Sequence, residues 1–172
     1  MVKDLNYIFF RIVVFITVVS FCSSPVFAQP SLPQRNISIT ATQGLHFGTF
    51  ALTGATGGTV TVGFDGNRTA SPGIYLSSLS PTARPALFDI KLCQGRNVTV
   101  SYVPTTTLTG SNGGSFTLNI GPTEKGTNGA VFAVDNNCTF VTVLRVGGTL
   151  SIPAASPAGV YTGYFEITFD QQ

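Results

Sequence analysis

Apolar and polar residues alternate in short runs along this chain, and clusters of glycine, proline, asparagine and aspartate separate the runs. A period of two belongs to strands with one buried face, and no stretch sustains the period of a helix. Ile37-Ser38-Ile39-Thr40-Ala41 alternates behind a lead that contains Pro30 and Pro33. Leu45 to Phe50 and Thr59 to Phe64 follow, and Asp65-Gly66-Asn67 marks a turn, since these residues tolerate turn backbones. The middle predicts strands over Ile74 to Leu79, Ala86 to Leu92 and Asn97 to Val103. A Thr-rich connection then leads to Phe116-Thr117-Leu118-Asn119-Ile120, and Gly121 to Gly129 reads as an exposed loop. Val131 to Val134, Phe140 to Val146 and Thr149 to Ile152 complete the interior. In the closing run Tyr161, Gly163, Phe165, Ile167 and Phe169 take one face, and Thr162, Tyr164, Glu166 and Thr168 the other. The expectation is an all-β, immunoglobulin-like antiparallel sandwich of about ten short strands, more than the seven of a minimal one.

The N-terminus departs from this pattern. Lys3 and Arg11 give a positive start, an apolar run spans Ile12 to Cys22, and Val26-Phe27-Ala28 supplies the small residues that signal peptidase requires. Residues 1–28 are expected to be a signal peptide cut between Ala28 and Gln29, leaving one domain, 29–172. A spanning helix needs about 20 apolar residues, and Arg11 interrupts the only stretch that could reach that length, so no membrane span is expected after cleavage.

Charged residues make up 9% of the chain, against roughly 25% in a typical soluble domain. Thr, Ser, Asn and 19 Gly take their place. Without a basic patch or a large net charge (+2 for the whole chain), nucleic acid is not an expected partner. Past the leader only Lys91 and Lys125 remain as lysines, and edge lysines are a common guard against unwanted strand pairing. The composition fits a protease-resistant extracellular surface, and equally a protein whose edges are meant to pair.

Cleavage would remove Cys22 and leave Cys93 and Cys138, an even pair in an oxidising compartment. A disulfide between them is expected, and closing so long a loop contributes about 4 kcal/mol in the chain-entropy model. Two cysteines this far apart, in a chain with one histidine, make a poor zinc site.

Other candidate chemistry is thin. Gly121 to Thr127 (GPTEKGT) resembles a phosphate-binding loop but has Thr127 where lysine should follow the second glycine, and no helix is expected after it. His46 could serve as a base, yet no Gly-x-Ser-x-Gly elbow exists to supply its nucleophile. Asp65, Asn67 and Thr69 offer oxygens at alternate positions, but Leu76 stands where a calcium loop needs its acid. Asp135-Asn136-Asn137 is a second such cluster; both read as turns. Asn36, Asn67, Asn97 and Asn137 head sequons, which arise easily in a chain so rich in Asn, Thr and Ser. No catalytic residue, metal ligand or cofactor is assigned, and an enzyme is not expected.

Two stretches carry a resemblance. Leu45-His46-Phe47-Gly48 with Gly57-Gly58-Thr59-Val60-Thr61-Val62, and then Val146 to Ala154 with Pro157-Ala158-Gly159-Val160-Tyr161-Thr162-Gly163-Tyr164-Phe165, resemble a bacterial secreted family catalogued as domain of unknown function 4402. The ending is also similar to the last strand of chaperone–usher pilins, particularly the archaic type related to spore coat protein U. The resemblance implies a pilin-like sandwich and a bacterial envelope or exterior. It implies no activity and no functional residues.

Two functions are therefore expected in order. The first is a secreted, fimbrial-like structural subunit, in which one molecule lends a strand to complete another's sandwich. Ile37, Ile39 and Ala41 near the mature N-terminus, and Tyr161, Phe165, Ile167 and Phe169 near the C-terminus, are the candidate strand-exchange residues; copies of the same chain or a periplasmic chaperone and usher are the candidate partners. The second is a self-contained adhesin for carbohydrate or a host protein, with Tyr75, Tyr102 and Tyr164 as aromatic contacts.

Overall fold

The computed structural model describes residues 36–172; the leader, its expected cut between Ala28 and Gln29, and the proline-containing lead fall outside them. Alternation produces strands throughout: β1 (Asn36–Gln43), β2 (Phe50–Leu52), β3 (Gly58–Val62), β4 (Arg68–Ala70), β5 (Ile74–Leu76), β6 (Ala86–Cys93), β7 (Asn97–Tyr102), β8 (Thr105–Gly110), β9 (Ser115–Thr123), β10 (Val131–Ala133), β11 (Thr142–Ile152), β12 (Tyr161–Thr162) and β13 (Ile167–Gln171). Every pairing between these strands is antiparallel.

The large sheet runs β1-β6-β11-β9-β8-β12, with β3 also on β11 and β4 on β3. A second sheet runs β10-β7-β13, and β2 pairs β5 in a small third one. In immunoglobulin terms β1, β6, β11 and β9 follow the order A-B-E-D, and β7 and β13 stand as C and F.

β11 organises the large sheet. Its first half, Thr142 to Val146, pairs β6; its second half, Gly148 to Ile152, pairs β3; β9 lies along its other edge. The exchange of neighbours falls at Gly147. A Cβ there would sit 2.5 Å from the Val62 carbonyl oxygen and 2.9 Å from the Phe64 nitrogen, so only glycine lets β3 leave the sheet at that point.

Between the sheets, side chains from both inner faces form one core. Val60 and Val62 of β3, Ile90 and Leu92 of β6, Val98 and Val100 of β7, and Leu144 and Val146 of β11 are fully buried. Phe116 of β9 stacks on Tyr161 of β12 with ring centroids 3.5 Å apart, which seats the start of the closing run on the large sheet.

The class follows the alternation, but the strand count is thirteen rather than about ten. The Thr-rich connection is a strand: β8 pairs β9 from Thr105↔Asn119 to Thr109↔Ser115, half-exposed on an outer flank where threonine suits a pleated surface. Gly147-Gly148 does not split β11, because the glycines serve close approach rather than a turn. The closing run is not one strand. β12 pairs β8 and β13 pairs β7, so the chain crosses between sheets over 163–166. Gly163 makes the crossing possible, since its Cβ would lie 2.8 Å from the Thr107 carbonyl oxygen. Leu45 to Phe50 is mostly a connection, held by the His46–Arg84 bridge.

Gly147→Ala is expected to cost about 1–3 kcal/mol, the usual range for forcing atoms into a filled site. Gly44→Ala, with nothing within 4 Å of its Cβ, should stay within about 0.5 kcal/mol of the parent. Urea unfolding of both variants checks the contrast.

Candidate functional site

The most distinctive feature is a seam where β1 and β13 meet the rest of the sandwich. Register places Ile37, Ile39 and Ala41 of β1 opposite Leu92, Ile90 and Phe88 of β6. Residues directly opposite in an antiparallel pair share a face, so these three side chains are aimed at the interior, as Ile90 and Leu92 are. Their cover is nevertheless poor. Ile90 and Leu92 are 0% exposed, whereas Ile39 is 39% exposed, Ala41 is exposed and Ile37 is half-buried.

The missing cover belongs to the second sheet. β13 lies over β6, where Phe88 meets Phe169 at 5.9 Å and Phe165 at 6.5 Å between centroids. β7 and β10 continue that sheet on the other side, and a short loop carries the chain from β10 into β11. The next position beyond β13, facing β1, is the G position of an immunoglobulin-like sandwich. Among the described residues no strand occupies it.

The outer edge of β13 has no strand partner among the described residues. Antiparallel ladders alternate bonded and non-bonded pairs. Gln172 donates its backbone N–H to the Asn97 carbonyl at 3.0 Å, and in the same register Asp170 faces Thr99 and Thr168 faces Ser101. The backbone groups of Ile167, Phe169 and Gln171 therefore point away from β7, toward the vacant position. The Phe169 side chain is buried and that of Ile167 half-buried.

Of the sequence candidates for strand exchange, the fold brings Ile37, Ile39, Ala41, Phe165, Ile167 and Phe169 to this seam. Tyr161 is elsewhere, stacked on Phe116 with its hydroxyl donating to the Pro157 carbonyl at 2.7 Å. Sequence reasoning missed Phe88, which joins the two halves of the seam; its alternation within β6 marked it as buried but not as a junction.

The other candidates resolve into local structure. Cys93 and Cys138 form a disulfide with Cα atoms 4.7 Å apart. The Asp135 cluster shapes the loop that delivers Cys138: Asn137 N–H donates to the Asp135 carboxylate at 2.9 Å, and Thr139 N–H donates to Asn137 Oδ1 at 3.1 Å. The Asp65 carboxylate is likewise occupied by Asn67, whose N–H donates to it at 3.0 Å. Gly121 to Thr123 is not loop but the end of β9, and the chain turns after it, with Thr123 Oγ1 donating to the Gly126 carbonyl and Glu124 ion-paired to Arg145 at 3.0 Å. Tyr75 and Tyr164 are exposed, on β5 and in the crossing segment, and Tyr102 is half-buried on β7. Burial pushes the Tyr102 phenol above its ordinary range.

His46 exchanges both backbone bonds with Arg84, and its Nδ1 accepts the Gly48 N–H at 2.9 Å. Nearby, Arg68 donates to the carbonyls of Ser77 at 3.0 Å and Thr49 at 2.8 Å, pinning two loops together. Burial, then the charges of Arg84 and Arg68, hold the imidazole below the ordinary histidine range. Among the described residues no group of three or more His, Cys, Asp or Glu side chains gathers where a metal could sit.

Residues 37–170 match the family described as Domain of unknown function (DUF4402), and the chain belongs to that family. No curated protein and no solved structure matches it.

Two outcomes follow from this geometry. Ile90→Ala should cost about 2–5 kcal/mol in urea unfolding, while Ile39→Ala, beside it in register, should cost about 1 kcal/mol or less. Equal costs would mean that the seam is covered. Because the native His46 pKa lies below the unfolded value, the unfolded chain binds more protons as pH falls through 6.5. Stability should therefore decline over that interval and level off below the native pKa, and His46→Gln should flatten this slope in urea midpoints taken from pH 8 to 5.

Proposed function

We propose that this DUF4402 chain is a secreted, fimbrial-like structural subunit of a bacterial surface, whose open sandwich is completed by a strand from another molecule. One observation carries the reading. The inward-facing side chains Ile39 and Ala41 of β1 are exposed beside a β13 edge whose outward backbone groups have no strand partner among the described residues. An extended peptide laid there gains backbone hydrogen bonds from β13, and its alternate apolar side chains would cover Ile39, Ala41 and Phe88.

The rest of the molecule suits such a role. The leader would direct export, and a disulfide persists in an oxidising compartment. No lysine guards the seam, since Lys91 is on β6 and Lys125 in the turn after β9, neither on β1 or β13.

Two measurements test this. Recovered from its native bacterial surface, the chain should run in complexes that survive dodecyl sulfate at room temperature and fall apart on boiling. Expressed alone with its leader, it should show fast amide exchange at Ile167, Phe169 and Gln171 and slow exchange at Thr168 and Asp170. Identical migration with and without boiling, together with protected seam amides in the isolated chain, would sink the reading.

A further inference from the structure

We propose that His46 latches the small β2–β5 sheet to the body of the sandwich, and that protonating its ring in mild acid lets this panel open locally. The panel has few fastenings of its own. β2 and β5 are three residues each and pair only with one another, and an isolated two-stranded sheet is marginally stable in water at best. Its apolar side chains lean on the core, Phe50 against Phe116 at 6.3 Å between ring centroids. At the end away from β3 and β4 the fastening is polar. The chain enters β2 through His46 to Thr49 and leaves β5 through Ser77 to Arg84. Those two connections are joined by the paired backbone bonds of His46 and Arg84, at 2.9 and 2.8 Å, and by the Ser77 N–H donating to the Thr49 carbonyl at 3.0 Å. Arg68 reaches across from β4 to donate to the Thr49 and Ser77 carbonyls as well.

The imidazole sits where this junction is least able to accept a proton. Its Nδ1 accepts the Gly48 N–H at 2.9 Å, so the neutral ring carries its proton on Nε2. A proton added at Nδ1 would set two donors against each other and leave the Gly48 N–H without its acceptor. Gly48 has little room to turn away, since a Cβ there would lie 3.1 Å from both Arg68 Nη1 and the Ala83 nitrogen. The charged groups facing the ring are Arg84, on the opposite connection, and Arg68, on β4. Neither arginine is in an ion pair among the described residues, so a third positive charge finds no carboxylate to offset it. The Arg68 Nε–H is buried with no hydrogen-bond partner among the described residues, so the closed junction already contains one unsatisfied donor. Opening removes both costs. The freed ring titrates near the ordinary value of about 6.5, above its closed value, so the open form takes up the extra proton and acid favours it. The latch shares no residue with the seam between β1 and β13.

The test follows amide exchange by NMR from pH 8 to 5 in the full chain, expressed with its leader into an oxidising periplasm, with rates corrected for the intrinsic effect of pH. His46 is the only histidine, so its ring signals report its protonation directly, and their midpoint should fall below the ordinary value. Below about pH 6.5, protection at Gly48 and Ser77 should drop by up to about tenfold per pH unit, as one coupled proton requires. Val100 and Ile120, whose amides donate to Ala130 and Pro104 outside the panel, serve as references. In mild acid Gly48 and Ser77 should exchange faster than these two and respond less to low urea, because a local opening exposes little surface. His46→Gln should keep the protection of the neutral form and lose the acid response. Arg84→Gln changes an exposed side chain; should the first variant disturb folding, it should still raise the ring midpoint and shrink the response. A ring midpoint at or above 6.5, or an acid response unchanged in both variants, would overturn the latch. So would Gly48 and Ser77 tracking Val100 and Ile120 in rate and urea dependence, since acid would then act only through global unfolding.

Discussion

The fold depends on one strand being able to hold three neighbours. β11 pairs β6 with its first half and β3 with its second, and keeps β9 along its other edge. Two strands can share one edge only if one leaves where the other arrives. At Gly147 the backbone of β3 passes so near that any Cβ would meet the Val62 carbonyl. β9 adapts to the same place: between the pairs Val146↔Thr123 and Gly148↔Ile120 it carries one residue more than β11 does. Without that junction β6 and β3 would compete for one edge, and the core residues that they bring, Val60, Val62, Ile90 and Leu92, could not meet on one face.

That arrangement concentrates burial at the centre and leaves the β1 end thin. Moving outward along one cross-strand row of the large sheet, Leu144 on β11 is fully enclosed, Phe88 on β6 is half-buried and Ala41 on β1 is exposed; in the next row Ile90 is enclosed while Ile39 opposite it is not. The gradient has a plain cause. Each inner-face residue needs cover from the opposite sheet, and that sheet stops at β13, one strand short of β1. An uncovered apolar row beside an unpaired edge is the feature that natural sheets usually blunt with lysine, proline or a bulge. Here β13 presents Asp170, and β1 between Asn36 and Gln43 has no charge at all.

Much of this was legible in the sequence, because alternation reports which face of a strand is inward. Ile37, Ile39 and Ala41, like Ile167 and Phe169, alternate with polar residues in the sequence, and each set lies on one face of its strand. Alternation is silent, however, on whether an inward face finds cover, since that depends on a strand contributed from elsewhere. It also misjudges glycine. Gly147-Gly148 looked like a break between strands, yet the glycines permit contact; Gly163 looked like one more position in a long strand, yet it lets the chain change sheets. Thr105 to Thr109 looked like a connection because threonine suits loops and outer strands alike, and only pairing with β9 distinguishes them. His46, set among Leu45 and Phe47, gave no hint that two arginines would surround it.

The disulfide explains how an open seam is compatible with a defined frame. Cys93 ends β6 directly opposite Asn36, at the start of β1, and Cys138 lies in the loop by which the chain passes from β10 in one sheet to β11 in the other. The bond thus ties the end of β6, beside the start of β1, to the loop that connects the two sheets. The covalent link contributes about 4 kcal/mol by the entropy it removes from the unfolded chain. It does so without occupying the edge. The arrangement differs from a sandwich that is merely unfinished. Its stability is placed away from the seam, in the β11 junction and the disulfide, so the seam can stay open without the core coming apart.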